Sequence, residues 1–233
     1  MDLKSFIRLC NVIPCILRIG SAAIKEHTTK TIHNAIAQAK HPGLRCHFSC
    51  EIIIHGRLTV KGRVFVGKRT RIIIPKGCHL VLQGENDILN DVLISPSKML
   101  IIGRGASIQD GCILLGNVEI GSYCLLAPRV FASSGQHAFK GNGRLPPWAM
   151  IKLQDACQPS KECPIRIDSD CWIGVNTTIL PGYRLARGSI VGAGSVLRGE
   201  CKTPYSILVG APAKCIGRRW TDSSRQLEQV DAS

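Results

Sequence analysis

The sequence predicts an all-β fold, a parallel β-helix, with an N-terminal helical segment and one long extruded loop. The first observation is a six-residue repeat whose first position is always aliphatic, at Ile167, Ile173, Ile179, Leu185, Val191 and Leu197. The second is its fourth position, held mostly by residue types that tolerate a left-handed backbone: Asp170, Asn176, Gly182, Gly188, Gly194 and Glu200. The third is that small residues occupy most of the fifth positions. A period of six matches neither a lone helix nor a hairpin meander.

Each hexad is expected to form a short strand and a turn. Three hexads then close one triangular coil of about 18 residues, and the aliphatic side chains stack on those of the next coil. One hexad cannot bury its apolar face alone, so the repeat predicts a contiguous prism of about six coils. The low aromatic content, 5% of 233 residues, suits a narrow interior filled by Ile, Val, Leu and small side chains.

The same register begins upstream and defines one loop. It starts at Ile54, fades over residues 84–98 and resumes in frame at Ile102, so the stretch between is expected to stay on the β-helix path. After Phe131 the frame is lost for about 35 residues and returns shifted. We therefore predict an extruded loop over residues 138–164, which is rich in Gly and Pro and contains Trp148. Long loops on rigid scaffolds often carry function.

Three segments are expected: a helical segment over residues 1–45, a β-helix domain over 46–216, and a basic then polar tail over 217–233. The longest uncharged run in the first segment, residues 9–17, is far shorter than the roughly 20 residues needed to span a bilayer. Two interpretations of this segment stay open. It is either an interfacial helix on an anionic inner-membrane face or a helix packed on the β-helix or on a neighbouring subunit.

The composition constrains the partners and the compartment. Thirty Lys and Arg against 16 Asp and Glu give a net charge of +14, which favours polyanionic partners without choosing among them. No nucleic-acid motif interleaves aromatic residues with these charges, so nucleic acid is not expected. Four of the twelve cysteines occupy fifth positions and are expected to be buried, reduced thiols: Cys112, Cys124, Cys171 and Cys201. Without a cleavable signal peptide or a CxxC pair, a cytoplasmic location is expected.

The first candidate for chemistry is His137, in the sequence FASSGQHAF. It stands where the repeat is interrupted, and the other six histidines all lie upstream of it. Imidazole, with an ordinary pKa of about 6.5, can accept a proton near neutrality, so His137 could act as a general base. The alternative is an ordinary structural histidine.

A set of motifs over about residues 100–218 resembles the hexapeptide-repeat acyltransferases of the maltose and galactoside O-acetyltransferase type. The resemblance starts in IGSYCLLAPRVFASSGQH, which contains His137, and continues through Trp172-Ile173-Gly174, Pro181-Gly182, Gly192-Ala193-Gly194-Ser195-Val196 and Gly210-Ala211-Pro212-Ala213-Lys214. Any single hexad is weakly specific, whereas the combination is specific.

The resemblance implies a left-handed β-helix, a homotrimer, and acetyl-CoA as co-substrate for acylation of a hydroxyl or amine of a sugar or nucleotide sugar. This is typical of enzymes of surface-polysaccharide synthesis. It implies a catalytic His137, acceptor contacts from Gln109, Asp110 and Trp148, and no metal. The cofactor-binding residues it implies are Gly192, Ala193, Ala211, Lys214, Arg218 and Arg219. The alternatives are that Asp110 is an ordinary turn residue at position three of its hexad, that the glycines serve turn geometry, and that the basic tail is a solvated end.

Two rival functions are weaker. A gamma-class carbonic anhydrase has the same prism but holds zinc through several histidines, whereas no histidine follows His137 here. A non-catalytic hexapeptide-repeat scaffold would make His137 incidental, which the loop and the GAPAK sequence argue against.

Overall fold

A computed structural model describes residues 21–135 and 163–220, with side chains from residue 31 onwards. His137 and Trp148 lie outside the described residues, as do residues 1–20 and most of the expected tail. The elements in chain order are α1 (Ser21–Lys40), β1 (Leu44–Cys46), β2 (Glu51–Ile54), β3 (Arg57–Val60), β4 (Val64–Val66), β5 (Arg71–Ile74), β6 (His79–Leu82), β7 (Asn86–Ile88), β8 (Leu93–Ser95), β9 (Met99–Ile102), β10 (Ser107–Ile108), β11 (Ile113–Leu115), β12 (Val118–Ile120), β13 (Leu125–Leu126), β14 (Phe131–Ser133), β15 (Ile165–Ile167), β16 (Trp172–Ile173), β17 (Thr178–Ile179), β18 (Arg184–Leu185), β19 (Ile190–Val191), β20 (Val196–Leu197), β21 (Glu200–Cys201), β22 (Ser206–Gly210) and β23 (Ala213–Arg218).

Every strand up to β19 pairs in parallel with the third strand after it, which builds three sheets. Sheet A runs from β1 to β22 and ends with the antiparallel strand β23, sheet B runs from β2 to β20, and sheet C runs from β3 to β21. This is the expected all-β parallel β-helix. Seven coils are complete within the described residues. The expected number of about six was too low because the first coil starts at Leu44, well before Ile54.

The coils do not all consist of three hexads, and in the first half of the β-helix the expected length was wrong. Val60 pairs with Leu82, and Leu82 pairs with Ile102, so both of these coils are longer than three hexads. The coil from Leu100 to Val118 has the expected length. The stretch over residues 84–98 stays on the β-helix path as β7 and β8, as expected.

The turns follow the expected pattern with one correction. The backbone φ is positive at Asp170, Asn176, Gly182, Gly188 and Gly194, between 57° and 79°. Glu200 does not share it, and Gly199 takes that conformation with φ of 86°. The reason is a final coil that is shorter than three hexads, since Arg184 pairs with Glu200.

The core consists of the first-position aliphatic residues with the fifth-position residues beside them, and nearly all of these are buried. Cys112, Cys124 and Cys171 are free thiols and are buried, as expected. Burial raises the pKa of the Cys112 thiol to about 11. Cys201 is only partly buried because β21 is the edge strand of sheet C and no further coil covers it.

Helix α1 covers the open end of the first coil. The buried Asn34 amide donates to the carbonyl of Cys50 at 2.8 Å, and the Asn34 side-chain oxygen accepts from the N–H of Ile52 at 3.1 Å. These bonds satisfy edge groups for which no earlier coil exists. Among the described residues, no helix is long and apolar enough to cross a membrane. Through the Asn34 hydrogen bonds the helix packs on the β-helix, as one of the two interpretations expected.

Candidate functional site

The chain leaves the prism after β14 and returns at β15, and the structure joins the two ends tightly. The carbonyl of Ser134 accepts a hydrogen bond from the N–H of Cys163 at 3.1 Å. The buried Ser134 hydroxyl accepts from the N–H of Asn117 at 2.6 Å, and the Ser134 N–H donates to the carbonyl of Leu115 at 3.1 Å. We call Ser134, Asn117 and Cys163 the clamp. It holds exit and re-entry together at the corner between sheets B and C.

The preceding coil allows the backbone of the clamp to approach closely because it has a glycine at the contact. A Cβ on Gly116 would lie 2.2 Å from the Ser134 hydroxyl oxygen, and the φ of Gly116 is 87°, so this turn needs glycine. After the excursion, Val118 pairs with Ile165, and regular stacking resumes. The last residue described before the excursion is Gly135, and His137 comes two positions later in the sequence. The expected base therefore belongs to a segment that starts at the corner between sheets B and C.

A groove runs along the outer face of sheet C from this corner. One cavity of about 330 Å³ is lined by Lys98, Asn117 and Pro164, among others, and lies against the re-entry point. A second, of about 320 Å³, lies beside it. The two cavities share Glu119 and Arg166 as lining residues.

The groove has mixed charge. Arg166 Nε lies 3.6 Å from Glu119 Oε2, and both side chains are about half exposed, so this ion pair contributes little stability and both groups remain accessible. The second cavity adds Asp168, Ser169 and Arg187 to its lining. Carboxylates that accept and guanidinium groups that donate hydrogen bonds are suited to a polyhydroxyl ligand.

Gln109 and Asp110 lie at a different corner, between sheets A and B. The Asp110 carboxylate accepts from the N–H of Asn90 at 2.8 Å and from its amide nitrogen at 3.1 Å, and Gln109 donates to the Ser107 hydroxyl at 2.8 Å. Asp110 thus behaves as a turn residue. Its carbonyl accepts from the N–H of Arg129, four residues before Ser133. Within one chain Asp110 therefore lies beside the turn before β14, whereas the exit point follows the other end of that strand.

Four of the expected cofactor-binding residues gather around the turn between β22 and β23. A Cβ on Gly192 would lie 2.7 Å from Val209 Cγ1, and Val209 is paired with Lys214 across the hairpin. The exposed Ala211 is in the turn, and Ala193 is exposed on the adjacent coil. Gly192 is therefore small for a packing reason, while the other three are accessible.

Arg218 and Arg219 lie at the opposite end of the hairpin. Arg219 Nη1 is 3.1 Å from both carboxylate oxygens of Asp170 and 3.4 Å from the Asp170 carbonyl. The Arg219 guanidinium also lies 5.1 Å from the centre of the Trp220 ring. Arg219 is thus held in an internal ion pair, whereas the Arg218 side chain is exposed.

Sequence reasoning missed the clamp, the groove and the Asp170–Arg219 pair. Arg166 and Glu119 carried a usable signal, because each lies between two buried aliphatic residues of a strand and must point outward. Their pairing depends on the register of β15 on β12 across the excursion, which has no trace in local sequence. Within residues 31–135 and 163–220, no three His, Cys, Asp or Glu side chains are placed to hold a metal ion.

The repeat, the three-sided prism and the clamped excursion define a hexapeptide-type parallel β-helix protein, and comparison with known proteins names its relatives. No protein-family model matches the chain. It is 31% identical over 125 residues to a probable acetyltransferase of Mycobacterium tuberculosis, across 50% of this chain and 37% of that protein. It is 32% identical over 101 residues to an Escherichia coli protein named for O-acetyl transfer in lipopolysaccharide biosynthesis, across 43% of this chain and 50% of that protein.

The chain thus spans half or less of the length of these two curated relatives. A solved maltose O-acetyltransferase from Clostridium difficile superposes with a TM-score of 0.47 at 21% identity, over 70% of each chain. The acetyltransferase names of the two curated relatives confirm the resemblance that the sequence motifs indicated.

Proposed function

We propose that this protein is an acetyl-CoA-dependent acetyltransferase that acylates a hydroxyl or amine of a sugar. The observation that carries the proposal is the clamp: the β-helix is interrupted once, its two ends are bonded at Ser134 and Cys163, and the excursion begins beside His137. The acetyltransferase names of the relatives, matched over up to half of this chain, support the same class of reaction.

The proposed reaction is direct transfer between two bound substrates. His137 takes the proton from the acceptor hydroxyl or amine as the acceptor attacks the thioester carbonyl, and the coenzyme thiolate leaves. No acyl-enzyme is required in this scheme. The negative charge on the thioester oxygen needs a hydrogen-bond donor, for which a backbone N–H of a coil is the candidate.

The C-terminal hairpin is the proposed place for coenzyme A. Its narrow arm needs an open surface with small side chains, and Ala193, Gly194 and Ala211 are exposed there; a Cβ on Gly194 would meet nothing within 4 Å. Lys214 and Arg218 are the exposed cations that could donate to its phosphates. Arg219 is proposed instead to fix the end of the hairpin through Asp170.

The proposed acceptor site is the groove on sheet C, next to the re-entry of the excursion that carries His137 and Trp148. Its mixed lining suits a saccharide, and the Escherichia coli relative is named for O-acetyl transfer in lipopolysaccharide biosynthesis. Gln109 and Asp110 lie at the corner between sheets A and B instead, so we propose that they serve the acceptor site of a neighbouring copy.

The test is an acceptor screen with the full chain and acetyl-CoA carrying a radioactive acetyl group. Transfer to mono-, oligo- and nucleotide-linked sugars is measured by counting the separated acceptor, because the twelve protein thiols would react with a thiol reagent. We expect label in at least one acceptor and none without protein. The absence of both labelled acceptor and detectable coenzyme A binding would contradict the proposal and favour a scaffold.

We further propose a homotrimer built through sheet A. Its outer face carries an apolar stripe in which Leu125, Trp172, Ile190 and Ile207 are paired in register, and Trp172 is 51% exposed. Exposed contiguous apolar stripes of this kind mark association surfaces. In such an assembly the corner with Gln109 and Asp110 could approach the excursion of a neighbour.

The assembly prediction is tested with Trp172→Glu, which puts a charge into the stripe. Multi-angle light scattering should give a particle of about three times 25.3 kDa for the native chain and a single-chain mass for the variant. Arg184→Glu, a charge change at an exposed position on sheet C, should leave the trimer intact. A native chain that is monomeric at micromolar concentration would contradict the proposal.

A further inference from the structure

The largest of the cavities described here lies away from the clamp, between α1 and the strands β2 and β3. Its volume is about 520 Å³, and it occupies the end of the prism where the first coil begins. The helix contributes residues 33, 36, 37 and 40, which share one face of α1 because they follow the 3.6-residue period, and His41 follows the end of the helix.

The floor of the cavity is apolar and its ionisable groups are all basic. The apolar residues are Ile36, Ala37, Ile52, Ile53, Ile54 and Leu58. The basic and imidazole side chains are His33, Lys40, His41, His55 and Arg57. No carboxylate of residues 31–135 or 163–220 lines this cavity, and neither Lys40 nor Arg57 forms an ion pair within those residues. Lys40 and Arg57, two cations without a carboxylate partner among the described residues, lie over an apolar floor, and this arrangement is complementary to an anionic group attached to a hydrocarbon.

The helix also leaves apolar side chains uncovered next to the cavity. Ile32 and Ile36 are one turn apart and are 52% and 48% exposed. Ile36 is both part of the cavity wall and part of this outer face. A soluble anion such as free phosphate would leave these side chains in water, whereas a bilayer would bury them together with the cavity.

We propose that this cavity binds the phosphate headgroup of an anionic phospholipid and docks α1 onto an anionic bilayer surface. Lys40 and Arg57 meet the phosphate, while Ile32 and Ile36 enter the interface beside it. The chain's net charge of +14 adds long-range attraction to the same surface. The proposal does not depend on the acetyltransferase proposal, since the cavity and the clamp are separate sites.

The test measures flotation of the full chain with vesicles of phosphatidylcholine alone or of phosphatidylcholine and phosphatidylglycerol mixed at about two to one. We expect binding only to the anionic vesicles. A basic residue near such a surface contributes about 1 kcal/mol, or roughly a fivefold change in binding, so Lys40→Gln with Arg57→Gln should weaken binding about 25-fold. The matched control is Lys68→Gln with Arg198→Gln, which removes the same two charges from exposed positions outside the cavity and should change binding less than twofold.

Several outcomes would overturn the proposal. Equal losses in the two double variants would mean that only the overall charge matters. Unchanged vesicle binding by Ile32→Ser with Ile36→Ser would exclude insertion of the helix face, for which a clear loss is expected. If a second copy of the chain fills the cavity instead, Lys40→Gln with Arg57→Gln should give a smaller particle in light scattering. The same double variant should then bind vesicles as the native chain does.

Discussion

His137→Ala is expected to lower turnover by about 10²- to 10⁴-fold, the usual contribution of a general base. The affinity for coenzyme A should hardly change, because the proposed cofactor surface around Lys214 and Arg218 belongs to the C-terminal hairpin, away from the exit corner. The melting temperature should also stay within a few degrees. Turnover, coenzyme A affinity and melting temperature are measured on one preparation of the variant.

The pH dependence gives a second readout of the same residue. Only the neutral ring can accept a proton, so the native rate should rise with pH through the ordinary imidazole pKa of about 6.5. That rise should be absent from the residual activity of His137→Ala. A base acting on the acceptor must give both results.

The matched control is His47→Ala. Its ring bonds the Ser49 hydroxyl at 2.9 Å and lies 4.3 Å from the Phe48 ring, in the first coil. Removing it should leave turnover and the pH profile unchanged. Near-native turnover of His137→Ala would exclude the proposed mechanism, and a joint fall in turnover, cofactor affinity and melting temperature would assign His137 a structural role.

The coil geometry was predictable because the repeat reports it directly. An aliphatic residue at every sixth position must point inward, and a left-handed residue must follow, so Ile173 and Asn176 define strand and turn without any tertiary information. The coil lengths were not predictable in this way. The coils from Val60 to Leu82 and from Leu82 to Ile102 are both longer than three hexads, and their extra residues add up to one whole hexad. The six-residue register is therefore the same before and after these two coils, and the spacing of aliphatic residues does not show that the coils are longer.

The site was less predictable because its contacts join residues that are far apart in the sequence. The Asp170–Arg219 pair spans 49 residues, and Arg219 appeared to be a free cation until its partner was placed. Asn34 likewise bonds Cys50 and Ile52 only because the helix turns back onto the first coil. A local motif such as FASSGQH marks where the prism is interrupted. It gives no information on which strand the returning chain joins.

Ser134→Ala is expected to show how the fold positions the base. The substitution removes the hydroxyl that accepts from the N–H of Asn117 and leaves that donor without its partner, which costs about 1 to 3 kcal/mol in the free energy of unfolding. The same corner holds the Cys163 N–H and sets where the excursion starts. Because a misplacement of about 1 Å can lower a rate about 10²-fold, turnover should fall by about that factor.

The control for this variant is Ser133→Ala, the same chemical change one residue earlier, where the side chain is only half-buried and faces away from the core. It should keep native turnover and lose less than about 0.5 kcal/mol, as surface substitutions usually do. Turnover is compared at a temperature where urea unfolding shows all three proteins to be fully folded. If Ser134→Ala loses stability but keeps native turnover there, the clamp supports only the coil and does not position His137.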